Sequence, residues 1–175
     1  MTVEEIFDMT GVSVRETFST MLNLEVERGS AYIEQGAHAS KDGVVALVGL
    51  AGKWMGTGAI SCSSELACKL ASIMLMTEYP AVHDDVLDAF GELCNMIIGG
   101  FKTRLEHTTG PMGLSLPTVV FGRNFTTRSL AKSHWNVVPF HVLGHPFEVH
   151  VCLTQGPEDG PRLRQSFSSL ISVSH

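Results

Sequence analysis

Residues 84–106 read DDVLDAFGELCNMIIGGFKTRLE, and whether this stretch forms one helix decides the fold. At about 100° per residue, Val86, Leu87, Phe90, Leu93, Cys94, Ile97, Ile98, Phe101 and Leu105 fall in one arc. Asp85, Asp88, Glu92, Asn95, Met96, Gly99, Lys102, Thr103 and Glu106 fall on the other side. That division predicts a helix that buries one face and displays the other. The glycines oppose it, because an interior Gly is about 1 kcal/mol less favourable than Ala. Gly91, Gly99 and Gly100 together therefore weigh roughly 3 kcal/mol against the helix, so something should require bare surface there. On the displayed face Glu92 and Asn95 are i,i+3 neighbours, with Cβ atoms roughly 5–6 Å apart. Gly99 lies one turn further along the same stripe, where the missing side chain leaves room for another protein's backbone beside Asn95. Gly91 and Gly100 lie nearer the flanks, where they would let neighbouring elements approach. A Glu and an Asn at this spacing are common on solvent faces, so the geometry alone leaves a purely structural reading open.

Working outward, a helix over 64–76 precedes this one, capped by Ser63 or Ser64, with Leu66, Leu70, Ile73 and Met74 inward and Pro80 beyond its end. Before it, VVALVGL (44–50) and WMGTGAIS (54–61), joined by AGK, read as a β-hairpin. QGAHASKDG (35–43) reads as a polar loop and LEVERG (24–29) as a short strand. Residues 3–22 carry apolar side chains at helical spacing, which Gly11 can break. After the TTGPMG turn, PTVVFGR, WNVVPFHVL and FEVHVCLT read as strands. In the last, Phe147, Val149 and Val151 share one face, with His150 and Cys152 on the other. The order predicts an α+β fold, a mainly antiparallel sheet with helices packed on it. The domain should span 1–155, followed by a flexible Gly/Pro/Ser-rich tail over 156–175. Strands 135–143 and 147–153 would end the sheet, and an unpaired apolar edge invites a homodimer.

Composition narrows the function classes. With 175 residues, 44% hydrophobic and 17% charged, the chain belongs with folded globular domains. A net charge of −6 without a basic block argues against a nucleic-acid surface. No apolar run reaches the ~20 residues a membrane span needs. Cys62, Cys68, Cys94 and Cys152 have no CxxC spacing, and the N-terminus lacks a signal pattern, so free thiols in a reducing cytoplasm are expected. GLAGKWMG imitates a phosphate loop, but Leu47 and Trp54 stand where that loop needs Gly and Ser or Thr. His141, His145 and His150 lack the carboxylate or Cys companions of a metal site, so none is expected. The NFT sequon at 124–126 has no secretory route to give it meaning.

DAFGELCNMIIGGFK (88–102) resembles the signature helix of the CheC/CheX/FliY chemotaxis phosphatases, Glu-x-x-Asn followed four residues later by Gly. LSLPTVVFGRNF (114–125) is similar to that family's following strand. VGLAGKWMGTGAISCSSELACKLASIML (48–75) is similar to its hairpin and preceding helix, and FSTMLNLEVERG (18–29) to its first helix-to-strand join. The likeness runs in order over about residues 3–154. A single Glu-x-x-Asn copy resembles CheX more than CheC, which usually carries two. GGFK (99–102) departs from the Gly-Asn-Ala-Lys usual in CheX-like sequences, at Gly100 and Phe101.

The resemblance implies a phosphatase acting on the aspartyl phosphate of a phosphorylated CheY-like response regulator. Its implied catalytic residues are Glu92 and Asn95, with Asp88, Gly99 and Lys102 in partner binding. It implies no cofactor of the chain's own, the Mg²⁺ coming with the regulator. An acyl phosphate is already activated, so what is left is to hold a water in line with phosphorus. An Asn can accept from that water and donate to it. Glu92, repelled by phosphate, is implied to pair with the regulator's active-site Lys. Two rivals stand beside this reading: a CheX-like module that binds a regulator or motor protein without turnover, and an oligomerisation domain.

Overall fold

The computed structural model describes residues 1–35, 38–127 and 134–156, with backbone alone at 38–42 and 123–127. The expected tail past Gly156 lies outside the described residues, as do Gly36 and Ala37 of the expected polar loop. Helix α1 (Val3–Thr17) begins with a capping box: Thr2 Oγ1 accepts from the Glu5 N–H, and Glu5 Oε2 accepts from the Thr2 N–H. A π-helical turn, Phe18–Leu22, continues it until Asn23 adopts a left-handed conformation with φ 52°. Gly11 does not break the helix. It is buried, and a Cβ there would lie 3.0 Å from the Arg28 guanidinium, so the glycine makes room for that side chain.

The strands are β1 (Glu27–Arg28), β2 (Tyr32–Gln35), β3 (His38–Gly52), β4 (Trp54–Cys62), β5 (Met112–Leu114), β6 (Thr118–Thr127), β7 (His134–Val142) and β8 (His145–Gln155). They form one antiparallel eight-stranded sheet. Strands β1 and β2 both lie beside β7, followed by β8, β4 and β3, and β5 and β6 both lie against β3 on the far side. The expected hairpin is present, with Leu50 opposite Gly56 and Val44 opposite Cys62. Lys53 lies at its turn, so the phosphate-loop imitation is a hairpin.

Three expectations need correction. Residues 38–43 are strand rather than loop, because β3 runs back to His38 to pair with Thr127 of β6. Only Glu27–Arg28 of LEVERG is strand, pairing with Phe140 and His141. Strands β7 and β8 are interior: Val149 faces Ile60 on one side and Val138 on the other. The edge argued for dimer formation is therefore not theirs. His150 and Cys152 do share the second face of β8, but they are buried, and the His150 ring lies 3.3 Å from Ser61 Oγ.

Helices α2 (Ser64–Leu75) and α3 (Asp84–Thr109) join α1 over one core shared with the sheet. Ser63 caps α2 by accepting from the Leu66 N–H, and Met76 closes it in the left-handed region with φ 51°. Leu66 and Leu70 are buried as expected, but Ile73 is exposed. On α3, Val86, Phe90, Leu93, Cys94, Ile97, Ile98, Phe101 and Leu105 are all buried. Each large side chain so covered contributes about 1.5–3 kcal/mol, which outweighs the propensity lost at the glycines. Gly58 on β4 sets the depth of α3, since a Cβ there would come within 2.6 Å of Ile98 Cδ1.

Candidate functional site

The packing that buries one side of α3 leaves the other outward. Asp85, Asp88, Glu92 and Thr103 are exposed, and Asn95, Met96, Gly99, Lys102 and Glu106 are partly so. Asp84 and Asp85 occupy the first turn, where negative charge suits the helix dipole. With Asp88 and Glu92 they give the front half of the helix an acidic face.

Glu92, Asn95 and Asp88 make no side-chain hydrogen bond or ion pair among the described residues. Lys102 differs. Its ammonium donates to Glu106 Oε1 at 2.9 Å and to the Met112 carbonyl at 3.4 Å. Glu106 Oε1 also accepts from the Met112 N–H at 2.7 Å. These contacts, the backbone bond first, hold the Glu106 carboxyl below the usual carboxylate range. Lys102 and Glu106 thus clamp the turn from α3 into β5.

The glycines have separate jobs. A Cβ at Gly91 would lie 3.1 Å from Val119 Cγ2 and 3.5 Å from Pro117 Cγ, so the chain entering β6 lies hard against the helix there. At Gly100 the neighbour is Ser13 of α1, at 3.5 Å, and the Gly100 carbonyl accepts from Arg104 Nη1 at 3.1 Å. Gly99 has only Leu114 Cδ1 nearby, at 3.7 Å, and stays open. Gly100 packs on α1 and Phe101 is fully buried, so the two departures from the family pattern lie away from Glu92 and Asn95.

Other candidates separate in space. His141 is exposed, His145 Nε2 lies 2.8 Å from Lys69 Nζ, and His150 is buried beside Ser61. No group of three or more His, Cys, Asp or Glu suited to a metal occurs among the described residues. None of the four cysteines forms a disulfide among the described residues. Burial pushes the Cys94 thiol up to about 12, and it donates to the Ala46 carbonyl. A cleft of about 830 Å³, lined by Glu65, Lys69, Tyr79 and Leu143 among others, lies between α2 and the loop that follows it, and none of its lining comes from the Glu92 stripe. The Glu92–Asn95 surface is a helix face rather than a cavity, a shape suited to a macromolecule. No helix among the described residues is long and apolar enough to cross a membrane.

One segment at the site carries no role in the sequence reading: Ser115–Pro117, between β5 and β6. Leu116 lies just before the run read as a strand, PTVVFGR, and it is 88% exposed. The Pro after it was the available signal, since it removes a ladder donor.

Among the described residues, a helix-backed antiparallel sheet displays a Glu-x-x-Asn pair on α3, and that combination defines the class of fold. The family model described as chemotaxis phosphatase CheX matches residues 44–141. The chain belongs to the CheX family. The CheY-P phosphatase CheX of Thermotoga maritima is 34% identical over 122 residues, 67% of this chain and 76% of that protein. The crystal structure of the chemotaxis protein CheX from Desulfovibrio desulfuricans superposes with a TM-score of 0.77 at 26% identity, covering 86% of this chain and 99% of that one. A chain of the CheX-CheY-BeF3-Mg²⁺ complex from Borrelia burgdorferi gives 0.71 at 26% identity, covering 83% and 96%.

Proposed function

We propose that this chain is a cytoplasmic phosphatase that hydrolyses the aspartyl phosphate of a CheY-like response regulator. The observation that carries the reading is the outward Glu92–Asn95 pair, unengaged by the described residues, on α3 of a CheX-family fold. Asn95 orients a water in line with the phosphorus. The water oxygen forms the new P–O bond as the bond to the aspartyl oxygen breaks, the aspartate leaves as a carboxylate, and inorganic phosphate carries off the water's oxygen and both its protons, sharing one with solvent. Glu92 docks the helix by pairing with the regulator's active-site Lys. Asp88 and Gly99 extend that contact to either side, charge at one end and bare backbone at the other. Lys102 contributes from a fixed position, its ammonium tied to Glu106 and Met112. The chain brings no cofactor, and the Mg²⁺ that neutralises the phosphoryl oxygens belongs to the regulator.

The test is phosphoryl loss from cognate regulators with and without the protein. Acceleration that disappears in Asn95→Ala supports the reading, and unchanged decay with every cognate regulator overturns it. The departures at Gly100 and Phe101, which keep a binding module without turnover in play, lie against α1 and in the core, and this supports the enzyme over that rival. We also infer a homodimer, formed through the outermost strands rather than β7 and β8. Ile33 of edge strand β2 is half exposed and supports that choice. A monomer mass by light scattering at micromolar protein would remove it.

A further inference from the structure

Leu116 is an apolar side chain held rigidly outward. Its neighbour Ser115 is fixed to β3 twice: the Ser115 N–H donates to the Gly49 carbonyl at 2.9 Å, and Ser115 Oγ accepts from the Gly49 N–H at 2.8 Å. The same hydroxyl donates to the Leu116 carbonyl at 2.8 Å. On the other side Pro117 rests against Gly91. Both flanks are anchored, and the residue between them is 88% exposed.

Its position follows from two contacts. Pro117 lies against Gly91 and Leu114 against Gly99, so the segment runs antiparallel along α3. Eight helical residues rise about 12 Å, and Leu114 and Thr118, opposite Leu50 and Leu47 of β3, are about 10 Å apart along that strand, so the two stretches match in length. Gly91, Asn95 and Gly99 form one i,i+4 ridge. The middle of the segment therefore meets the middle of the ridge, which is Asn95. A partner seated on Asn95 therefore comes beside Leu116.

We propose that Leu116 is a docking residue for the phosphorylated regulator, an apolar anchor beside Asn95 that sets affinity without taking part in hydrolysis. This rests on the phosphatase reading above. An exposed Leu gains by leaving water only when a partner covers it, and a pinned backbone reduces what must be ordered on binding. Its contribution is apolar, so it should not respond to salt as a Glu92–Lys pair does.

The experiment measures binding and turnover for the wild type, Leu116→Ser, Leu116→Met and Glu92→Gln. The regulator is held in its phosphorylated-like state by beryllofluoride and Mg²⁺ for binding, and is phosphorylated for turnover. Leu116→Ser should weaken binding at least tenfold at both low and high salt and raise KM, with kcat within twofold. Leu116→Met should restore affinity, and thermal unfolding should be unchanged. Wild-type affinity in Leu116→Ser, alongside normal wild-type turnover, overturns the anchor and leaves the phosphatase standing. A wild-type chain that neither binds the regulator nor speeds its decay overturns the phosphatase reading and the anchor with it.

Discussion

The two faces of α3 come from interleaved residues of one helix, and they obey different rules. On one, Leu93, Ile97 and Phe101 have no exposed surface and are held from all sides. On the other, Glu92 and Asn95 make no side-chain bond with the described residues. The buried face determines where the helix lies and how it is rotated. The front half of the displayed face, with Glu92 and Asn95, inherits that placement, and only its far end contributes, through the Lys102–Glu106 clamp on Met112. Position and chemistry should therefore be separable: damage to one face should unfold the protein, and damage to the other should silence it while it stays folded.

The largest effect is expected from the buried side. Phe101→Ala should lower stability by about 3–5 kcal/mol, read from the denaturation midpoint. A midpoint like that of the wild type would mean that α3 does not key the helix layer to the sheet. Next comes Asn95→Ala. Loss of the residue that positions water should cut the regulator's phosphoryl loss roughly a hundredfold, while stability stays within about 0.5 kcal/mol. A fall in both quantities would break the separation of the two faces.

Glu92→Gln should act more weakly and on a different step. Removing one partner of a pair shielded within a complex commonly costs about 2–5 kcal/mol, so docking should weaken at least about tenfold. Wild-type affinity should fall as salt rises, and the variant should lose part of that dependence. Equal affinities at two salt concentrations would leave Glu92 as a solvated surface residue. The smallest effect concerns Glu106, whose depressed acidity belongs to the clamp at the far end of the displayed face. Its folded-state value lies below the ordinary one. Its contribution is therefore complete above about pH 4.3 and is lost as pH falls through the folded value. Melting temperatures measured down this acid limb should fall less steeply for Glu106→Gln than for the wild type.

How much of this was legible in the sequence follows the same division. The long helix could be read because its apolar residues repeat at one period over many turns, and the hairpin because its two runs are adjacent. Flanking roles for Gly91 and Gly100 were also legible, although their partners Val119 and Ser13 were not. Strand β2 and the three-residue β5 are too short to carry a pattern and exist because β7 and β3 offer partners. The extension of β3 through His38 has the same origin, a neighbour more than eighty residues away that no local composition reports. That β7 and β8 lie inside the sheet is a fact of strand order, which alternation does not encode. At the candidate site, the outward placement of Glu92 and Asn95 was readable by spacing, whereas their proposed roles came only from the family resemblance. The placement of Leu116 was not readable, because nothing in the apolar pattern of the sequence says whether an apolar residue just ahead of a strand is buried or turned outward.

The strand order also governs when the molecule can first exist during synthesis. Strand β8 pairs with β4 at Ile60 and with β7 at Val138, and it comes last in chain order among the described strands. Until its residues leave the ribosome, β4 has no neighbour on that side, and the floor beneath the helices lacks Val149 and Val151. Pairings this distant in sequence form slowly, and an open apolar edge is prone to aggregation while it waits. Closure by β8 therefore completes the edge and the floor in one step, and a nascent chain stopped short of it would carry the Glu-x-x-Asn helix without the platform that aims it.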